Sequence, residues 1–119
     1  MATGDLAEFE RLLAELRRDL EATVATDDAR LDAIRSARSD ANDDDEHDPE
    51  GATLSAEWSR AEGLHEGAVR ELEEVAHAEQ RLRDGRYGVC EGCGRGIPPE
   101  RLRIRPAARF CVACAALRT

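Results

Sequence analysis

The chain has 119 residues, of which 36% are charged and only 3% aromatic, and its formal net charge is −9. So many charges and so few large apolar side chains argue against a thick globular core and favour long helices that bury a narrow seam. An acidic chain with no long apolar run also argues against direct nucleic-acid binding and against a membrane span.

The first predicted element is one long helix over about residues 5–41. Its apolar residues recur in alternating steps of three and four, the repeat of a coiled-coil seam. The residues of this first stretch of seam are Leu6, Phe9, Leu13, Leu16 and Leu20.

Two polar residues interrupt the seam further along the helix. Asp27 and Arg30 fall on its next positions, whereas Val24 and Leu31 are apolar on a column shifted by four residues from Leu20. We therefore predict a stutter, which locally unwinds the supercoil while the helix continues.

A second helix is predicted after an acidic turn over residues 42–47. Asp48 can cap free N–H groups, and Pro49 suits the first helical position. Gly85 is a plausible stop signal just beyond the helix. The apolar column of this helix repeats every seven residues: Leu54, Ala61, Ala68, Val75 and Leu82.

Two long helices joined by a short loop must run antiparallel. The predicted fold is therefore mainly α, with a coiled-coil hairpin over residues 1–86, an acidic tip near residues 42–52 and a separate module over residues 87–119. At ~1.5 Å per residue, an arm of ~35 residues spans about 50 Å. We expect a monomer.

All four cysteines lie in the C-terminal module, as two Cys-x-x-Cys pairs separated by seventeen residues. This spacing is typical of a structural zinc site, because each pair directs two thiolates at one point and the loop completes a tetrahedron. Four protein thiolates leave no open position for catalysis, so we predict one structural zinc and no enzymatic activity. The ligands are Cys90, Cys93, Cys111 and Cys114.

Three other uses of these cysteines fit the sequence less well. Structural disulfides suit a secreted protein, but residues 1–13 lack the basic and then apolar segments of a signal peptide, so we expect a cytoplasmic protein. An iron–sulfur site uses similar ligands but usually has an aromatic shield. A thioredoxin-like redox motif requires a βαβ context, which is missing here.

Charge is distributed unevenly along the chain. Residues 1–50 carry a net charge of −10, whereas residues 90–119 carry +4, all of the basic residues being arginine. The excess of arginine around the cysteines either neutralises a tetrathiolate zinc or forms a surface for an acidic partner.

The order of these features resembles the DksA/TraR family of C4 zinc-finger transcription regulators. The resemblance is carried by the helical hairpin, an acidic tip containing Asp-Pro, and three local motifs. These are Tyr87-Gly-Val-Cys-Glu-Gly-Cys-Gly, Arg103-Ile104-Arg105-Pro106 and Phe110-Cys-x-x-Cys.

The resemblance implies a regulator that binds bacterial RNA polymerase rather than DNA and inserts its coiled coil into the secondary channel. The family's tip motif is Asp-x-x-Asp-x-Ala. Counting back from Cys90 places His47, Glu50 and Ala52 on it, with Asp48 one residue off and Asp45-x-x-Asp48 as a partial match. The implied tip contacts are Asp45, Asp48, Glu50 and Ala52.

The implied contacts at the base are Arg103 and Arg105. Members that respond to the alarmone ppGpp have basic residues at three places; here only Arg105 is basic, and Glu74 and Ala115 occupy the others, which argues against ppGpp dependence. The alternative function is a zinc-stapled adaptor that joins two protein partners unrelated to polymerase.

Overall fold

The computed structural model describes residues 3–42 and 49–118, with side chains described for residues 5–40 and 53–118. The helices in these ranges are α1 (Thr3–Asn42), α2 (Pro49–Arg83), α3 (Pro99–Ile104) and α4 (Val112–Ala116). Within the same ranges, β pairing is limited to an isolated bridge between Val89 and Gly96. The predicted fold class, mainly α with two long helices before a small cysteine module, is confirmed.

The chain forms two compact units. The finger unit comprises Met1–Asp19 and Leu72–Thr119, and the helical unit comprises Leu20–Glu71. The boundary predicted between residues 86 and 87 lies inside the finger unit, so the cysteine module shares a compact unit with one end of each long helix. In the described part of the chain, no helix has both the length and the apolar character that a membrane span requires.

In the helical unit, the original heptad column of α1 continues without interruption. Leu20, Asp27 and Ile34 are buried, whereas Val24 and Leu31 are only half-buried. The prediction that the seam leaves the Asp27 column is therefore wrong. Leu20 and Ile34, one heptad before and one heptad after Asp27, keep the register of the helix. The Asp27 carboxylate is therefore buried in the seam. In the partner column, however, Thr23 and Arg30 are exposed, so Val24 and Leu31 are the more buried residues there, as predicted.

Asp27 is a buried and incompletely satisfied polar group. Only 4% of the residue is exposed, and its Oδ2 has no hydrogen-bond partner in the described part of the chain. The buried residues that α2 supplies to this unit are small, namely Ala61 and Ala68. Burial of an unpaired polar group is unfavourable, so this position weakens the seam.

Cross-helix contacts in the helical unit follow an antiparallel order. His65 Nε2 lies 2.8 Å from Asp28 Oδ1, and the Arg35 guanidinium lies 5.5 Å from the centre of the Trp58 ring. A step of seven residues forward on α1 therefore matches a step of seven residues backward on α2, as expected for an antiparallel heptad pairing.

The seam is incompletely filled next to Ile34. Arg30 is exposed, and Ala37 and Ala61 are too small to replace a leucine between the helices. A groove of about 500 Å³ results. Its lining residues are Arg30, Ala33, Ile34, Ala37, Leu54, Glu57, Arg60 and Ala61.

The finger unit has the better-packed core. Phe9 and Leu13 of α1 and Val75 of α2 are fully buried, and the Phe9 ring lies 5.4 Å from the Tyr87 ring between centroids. Arg17 also forms an ion pair with Glu79 across the two helices. The aromatic contact matters most, because it joins α1 to the start of the cysteine module.

The end of α2 is fixed by the glycine that the sequence predicts. Gly85 has a φ of +73°, which favours glycine because other residues strain there. The N–H of Arg86 donates to the carbonyl of Arg81 at 2.8 Å, and the N–H of Gly85 donates to that of Leu82 at 3.3 Å. This pair of bonds is a Schellman motif, which reverses the chain toward the cysteines.

The predicted tip is only partly described. Pro49 is the first residue of α2, as expected. Asp45 and Asp48 lie outside the described residues, and so do the side chains of Glu50 and Ala52. The roles assigned to these four residues stay predictions.

We predict that Asp27→Leu stabilises the helical unit. The change removes a buried carboxylate and completes the heptad column, which should add about 1 to 3 kcal/mol to the free energy of unfolding. Thermal unfolding followed by circular dichroism measures this as a higher midpoint. Asp40→Leu on the exposed surface of α1 is the control; if both variants shift the midpoint equally, the burial of Asp27 is not the cause.

Candidate metal centre

The first cysteine pair lies in a tight knuckle after the bridge residue Val89. The N–H of Cys90 donates to the carbonyl of Arg95 at 2.8 Å, and the N–H of Gly94 donates to that of Cys90 at 2.9 Å. Gly94 has a φ of +76°, so the chain turns back there in a conformation that suits glycine. These bonds direct Cys90 and Cys93 toward one point.

The second pair lies at the start of the short helix α4. Cys111 is the N-cap residue, and Cys114 lies one turn into the helix. The N–H of Ala115 donates to the carbonyl of Cys111 at 2.9 Å, which closes that turn. A helical turn places residues three apart on one side, so both thiols face the first knuckle.

The four sulfur atoms converge as a tetrahedral metal site requires. All four Sγ atoms lie within 4.8 Å of one another, and those of Cys93 and Cys111 are 4.0 Å apart. Zinc–sulfur bonds of about 2.3 Å in a tetrahedron imply sulfur atoms about 3.8 Å apart. The four cysteines are free thiols, and as thiolates they fit one zinc ion.

Backbone N–H groups support thiolate character at Cys90. The N–H groups of Gly92 and Cys111 each donate to Cys90 Sγ at 3.3 Å. The Cys111 N–H is the main reason that the pKa of Cys90 is lowered to about 6. Hydrogen bonds with the thiols of Cys111 and Cys90 instead raise the pKa of Cys114 to about 12. Cys114 therefore keeps its proton until a metal ion binds and displaces it.

Gly92 is the position at which the two pairs come closest. A Cβ atom there would lie 3.0 Å from both Cβ and Sγ of Cys114. The first knuckle can therefore lie against α4 only because residue 92 has no side chain. At Gly96, by contrast, an added Cβ would meet nothing within 4 Å.

The cysteine module is attached to the helix ends by polar contacts as well as by the Phe9–Tyr87 contact. The Tyr87 hydroxyl donates to the carbonyl of Pro106 at 2.7 Å, and burial raises the pKa of Tyr87 to about 12, so it remains a neutral donor. Arg101 Nε donates to the carbonyl of Phe110 at 2.9 Å. These bonds fix the loop between the two cysteine pairs.

The two arginines predicted at the base differ in environment. Arg103 donates to Glu8 of α1 at 2.9 Å, a bond that raises the pKa of Arg103, and its guanidinium lies 6.0 Å from the Phe9 ring centre. Arg105 is exposed and makes no ion pair within the described residues. Arg103 therefore holds the module on α1, and Arg105 faces solvent.

Two other arginines near the cysteines have partners within the finger unit. Arg109 lies 2.9 Å from Glu91 and 3.7 Å from Glu74, and Arg118 lies over the Phe110 ring at 4.2 Å from its centre. The positive charges of these two arginines are therefore paired with acids and an aromatic ring of the same unit.

Three residues that connect the module to the helices could not be recognised from the sequence. Glu8, Arg81 and Glu91 are charged residues in a highly charged chain, and nothing in their spacing distinguishes them. Of these three residues, only Glu91 has a weak sequence signal, because it lies between two metal ligands.

Comparison with known proteins supports a zinc finger. Residues 85–119 match the family model described as the prokaryotic dksA/traR C4-type zinc finger. Residues 85–119 are thus similar to the zinc finger of DksA/TraR proteins. This match, with the four converging thiols, confirms the resemblance noted in the sequence and the expectation of one structural zinc.

Curated relatives cover only part of the chain. General stress protein 16O of Bacillus subtilis (strain 168) is 41% identical over 68 residues, which are 57% of this chain and 42% of that protein. An uncharacterized protein of Aquifex aeolicus (strain VF5) is 40% identical over 47 residues, which are 40% of this chain and 32% of that protein. The matches thus span less than half the length of either relative.

The fold as a whole resembles that of a solved transcription factor. The structure of DksA2 from Pseudomonas aeruginosa matches with a TM-score of 0.81 and covers 99% of this chain and 85% of that one. The sequences are 23% identical, so this likeness shows the fold alone.

We predict that Gly92→Val weakens zinc binding. Its Cβ and branched methyl groups would displace Cys114, and overpacking of this kind costs about 1 to 3 kcal/mol, which corresponds to roughly a fivefold to 150-fold loss of affinity. Competition with a chromogenic chelator measures the affinity. Gly96→Val is the matched control and should bind zinc as the unmodified protein does; equal affinities in all three proteins would contradict the close approach at Gly92.

Proposed function

We propose that this protein is a bacterial transcription regulator that binds RNA polymerase and acts through the secondary channel, without direct contact to DNA. The observation that carries the proposal is the DksA/TraR zinc finger over residues 85–119, in a chain whose fold resembles that of a transcription factor. The relative named as a general stress protein is compatible with regulation under stress.

The proposed action is non-covalent. Four protein thiolates fill the tetrahedron around zinc, so the metal has no open position for a substrate and serves the fold. The active part would then be the acidic tip, with Asp45 and Asp48 before α2 and Glu50 in its first turn as the charges, and Ala52 of α2 as a contact. Negative charge near the catalytic magnesium ions of polymerase would alter initiation.

Attachment to polymerase would use the exposed arginine of the base. Arg105 is the better candidate, because Arg103 already pairs with Glu8. At the two other places expected for ppGpp, Glu74 pairs with Arg109 and Ala115 lies half-buried in α4. Neither offers a cation to a phosphate, which argues against ppGpp dependence of the proposed regulator.

An adaptor that joins two proteins is the second candidate. The feature that favours it is a set of large apolar side chains exposed on the cysteine module, with Ile104 at 81%, Val112 at 64% and Leu117 at 86% exposure. Exposed apolar side chains suit binding to polymerase as well as binding to other proteins. A measurement of polymerase binding therefore distinguishes the regulator from the adaptor.

We predict that the immobilised full-length protein retains core RNA polymerase and that Arg105→Glu weakens this binding about tenfold at low salt, where exposed charges are least screened. Arg70→Glu, which changes an exposed arginine of the helical unit, is the charge-matched control. Failure of the unmodified protein to retain polymerase would favour the adaptor.

We predict that the tip can be inactivated without loss of binding. Asp45→Asn, Asp48→Asn and Glu50→Gln, combined, remove like charges that repel one another, so the fold should persist and polymerase should still bind. Initiation in a purified transcription assay should lose the effect of the protein. The control neutralises three other acids, Asp40, Glu62 and Glu66; a tip variant as active as this control would contradict the role of the tip charge.

A further inference from the structure

Arg81 is a buried cation near the end of α2. Only 6% of the residue is exposed. Its guanidinium lies 3.6 Å from a carboxylate oxygen of Glu91 and donates to the carbonyls of Ala107 and Ala108 at 3.4 and 3.5 Å. All three partners belong to the cysteine module. The buried charge near the end of α2 is therefore balanced from outside the helix.

Loss of this balance would be costly. Burial lowers the pKa of Arg81, and the negative charge of Glu91 opposes that shift. A buried charge whose partner is removed destabilises a protein strongly, since the desolvation cost remains while the attraction is lost. Without Glu91, the Arg81 guanidinium keeps its desolvation cost, so the end of α2 that carries it becomes less stable.

Glu91 is positioned by the first metal knuckle. It lies between Cys90 and Gly92, and its N–H donates to the carbonyl of Arg109 at 2.8 Å. Its Oε2 accepts from Arg109 Nε at 2.9 Å, while Oε1 faces Arg81. The Glu91 carboxylate thus contacts both α2, through Arg81, and the segment before the second cysteine pair, through Arg109.

We propose that Glu91 transmits the state of the zinc site to the C-terminal end of α2 through its ion pair with Arg81. When zinc is bound, the knuckle holds Glu91 and the loop holds the carbonyls of residues 107 and 108 against the guanidinium. When zinc is lost, the module is no longer ordered by the metal ion, and Arg81 loses its partners in the module. This inference goes beyond the proposed function and requires no polymerase.

The coupling acts in both directions. If zinc binding favours the closed end of α2, the closed end favours zinc binding by the same factor. The Arg81–Glu91 pair should therefore strengthen the equilibrium binding of zinc, although neither residue touches the metal.

An exposed acid of α2 provides the matched control. Glu74 is unsuitable, because its charge acts on Arg81 and it pairs with Arg109, which also contacts Glu91. Glu73 is exposed and makes no ion pair within the described residues. Glu73→Gln should therefore leave the coupling intact.

The first test is hydrogen exchange on the full chain, with zinc bound and after its removal by a chelator. In the unmodified protein and in Glu73→Gln, amides of residues 76–84 should exchange about tenfold faster, or more, once zinc is removed. In Arg81→Met, which keeps an apolar stem and removes the charge, this ratio should fall below about threefold. An undiminished ratio in Arg81→Met would overturn the proposal.

The second test is the affinity for zinc, measured by competition with a chromogenic chelator. Glu91→Gln leaves Arg81 buried without an anion and should bind zinc about tenfold more weakly than the unmodified protein. The double variant Arg81→Met, Glu91→Gln should return to within about threefold of the unmodified affinity. If Glu91→Gln binds zinc with the unmodified affinity, the proposal fails, whether or not Arg81→Met folds.

Discussion

The convergence of four thiolates on one point is the constraint on which the finger unit depends. A module of roughly thirty residues buries too little apolar surface to fold unaided, and a structural zinc contributes about 10 to 16 kcal/mol in comparable peptides. The module also rests on the helix ends, through the Phe9–Tyr87 contact and the Glu8–Arg103 ion pair. Metal and helices therefore stabilise a single unit.

Features encoded locally could be predicted from the sequence. The two Cys-x-x-Cys pairs reveal the metal site, because ligand spacing is a property of short segments. Pro49 and Gly85 mark the ends of α2 for equally local reasons, since one lacks an N–H and the other adopts a positive φ. The fold class follows from these boundaries and from the heptad repeat.

Features that depend on tertiary packing could not be predicted. Polarity at Asp27 suggested a stutter, but the register is set by the leucine and isoleucine one heptad away on either side, which keep this carboxylate in the seam. The pairing of Glu8 with Arg103 joins residues 95 positions apart. In a chain this rich in acids and arginines, no sequence pattern selects one such pair over another.

The claim most open to direct measurement is that one zinc ion is bound by four sulfur atoms. Metal analysis and zinc-edge X-ray absorption of the purified protein should find one zinc per chain, surrounded by four sulfur atoms at about 2.3 Å. A native iron content, or a shell in which nitrogen or oxygen replaces sulfur, would contradict the account, because the packing of the finger unit is explained by a closed tetrathiolate site.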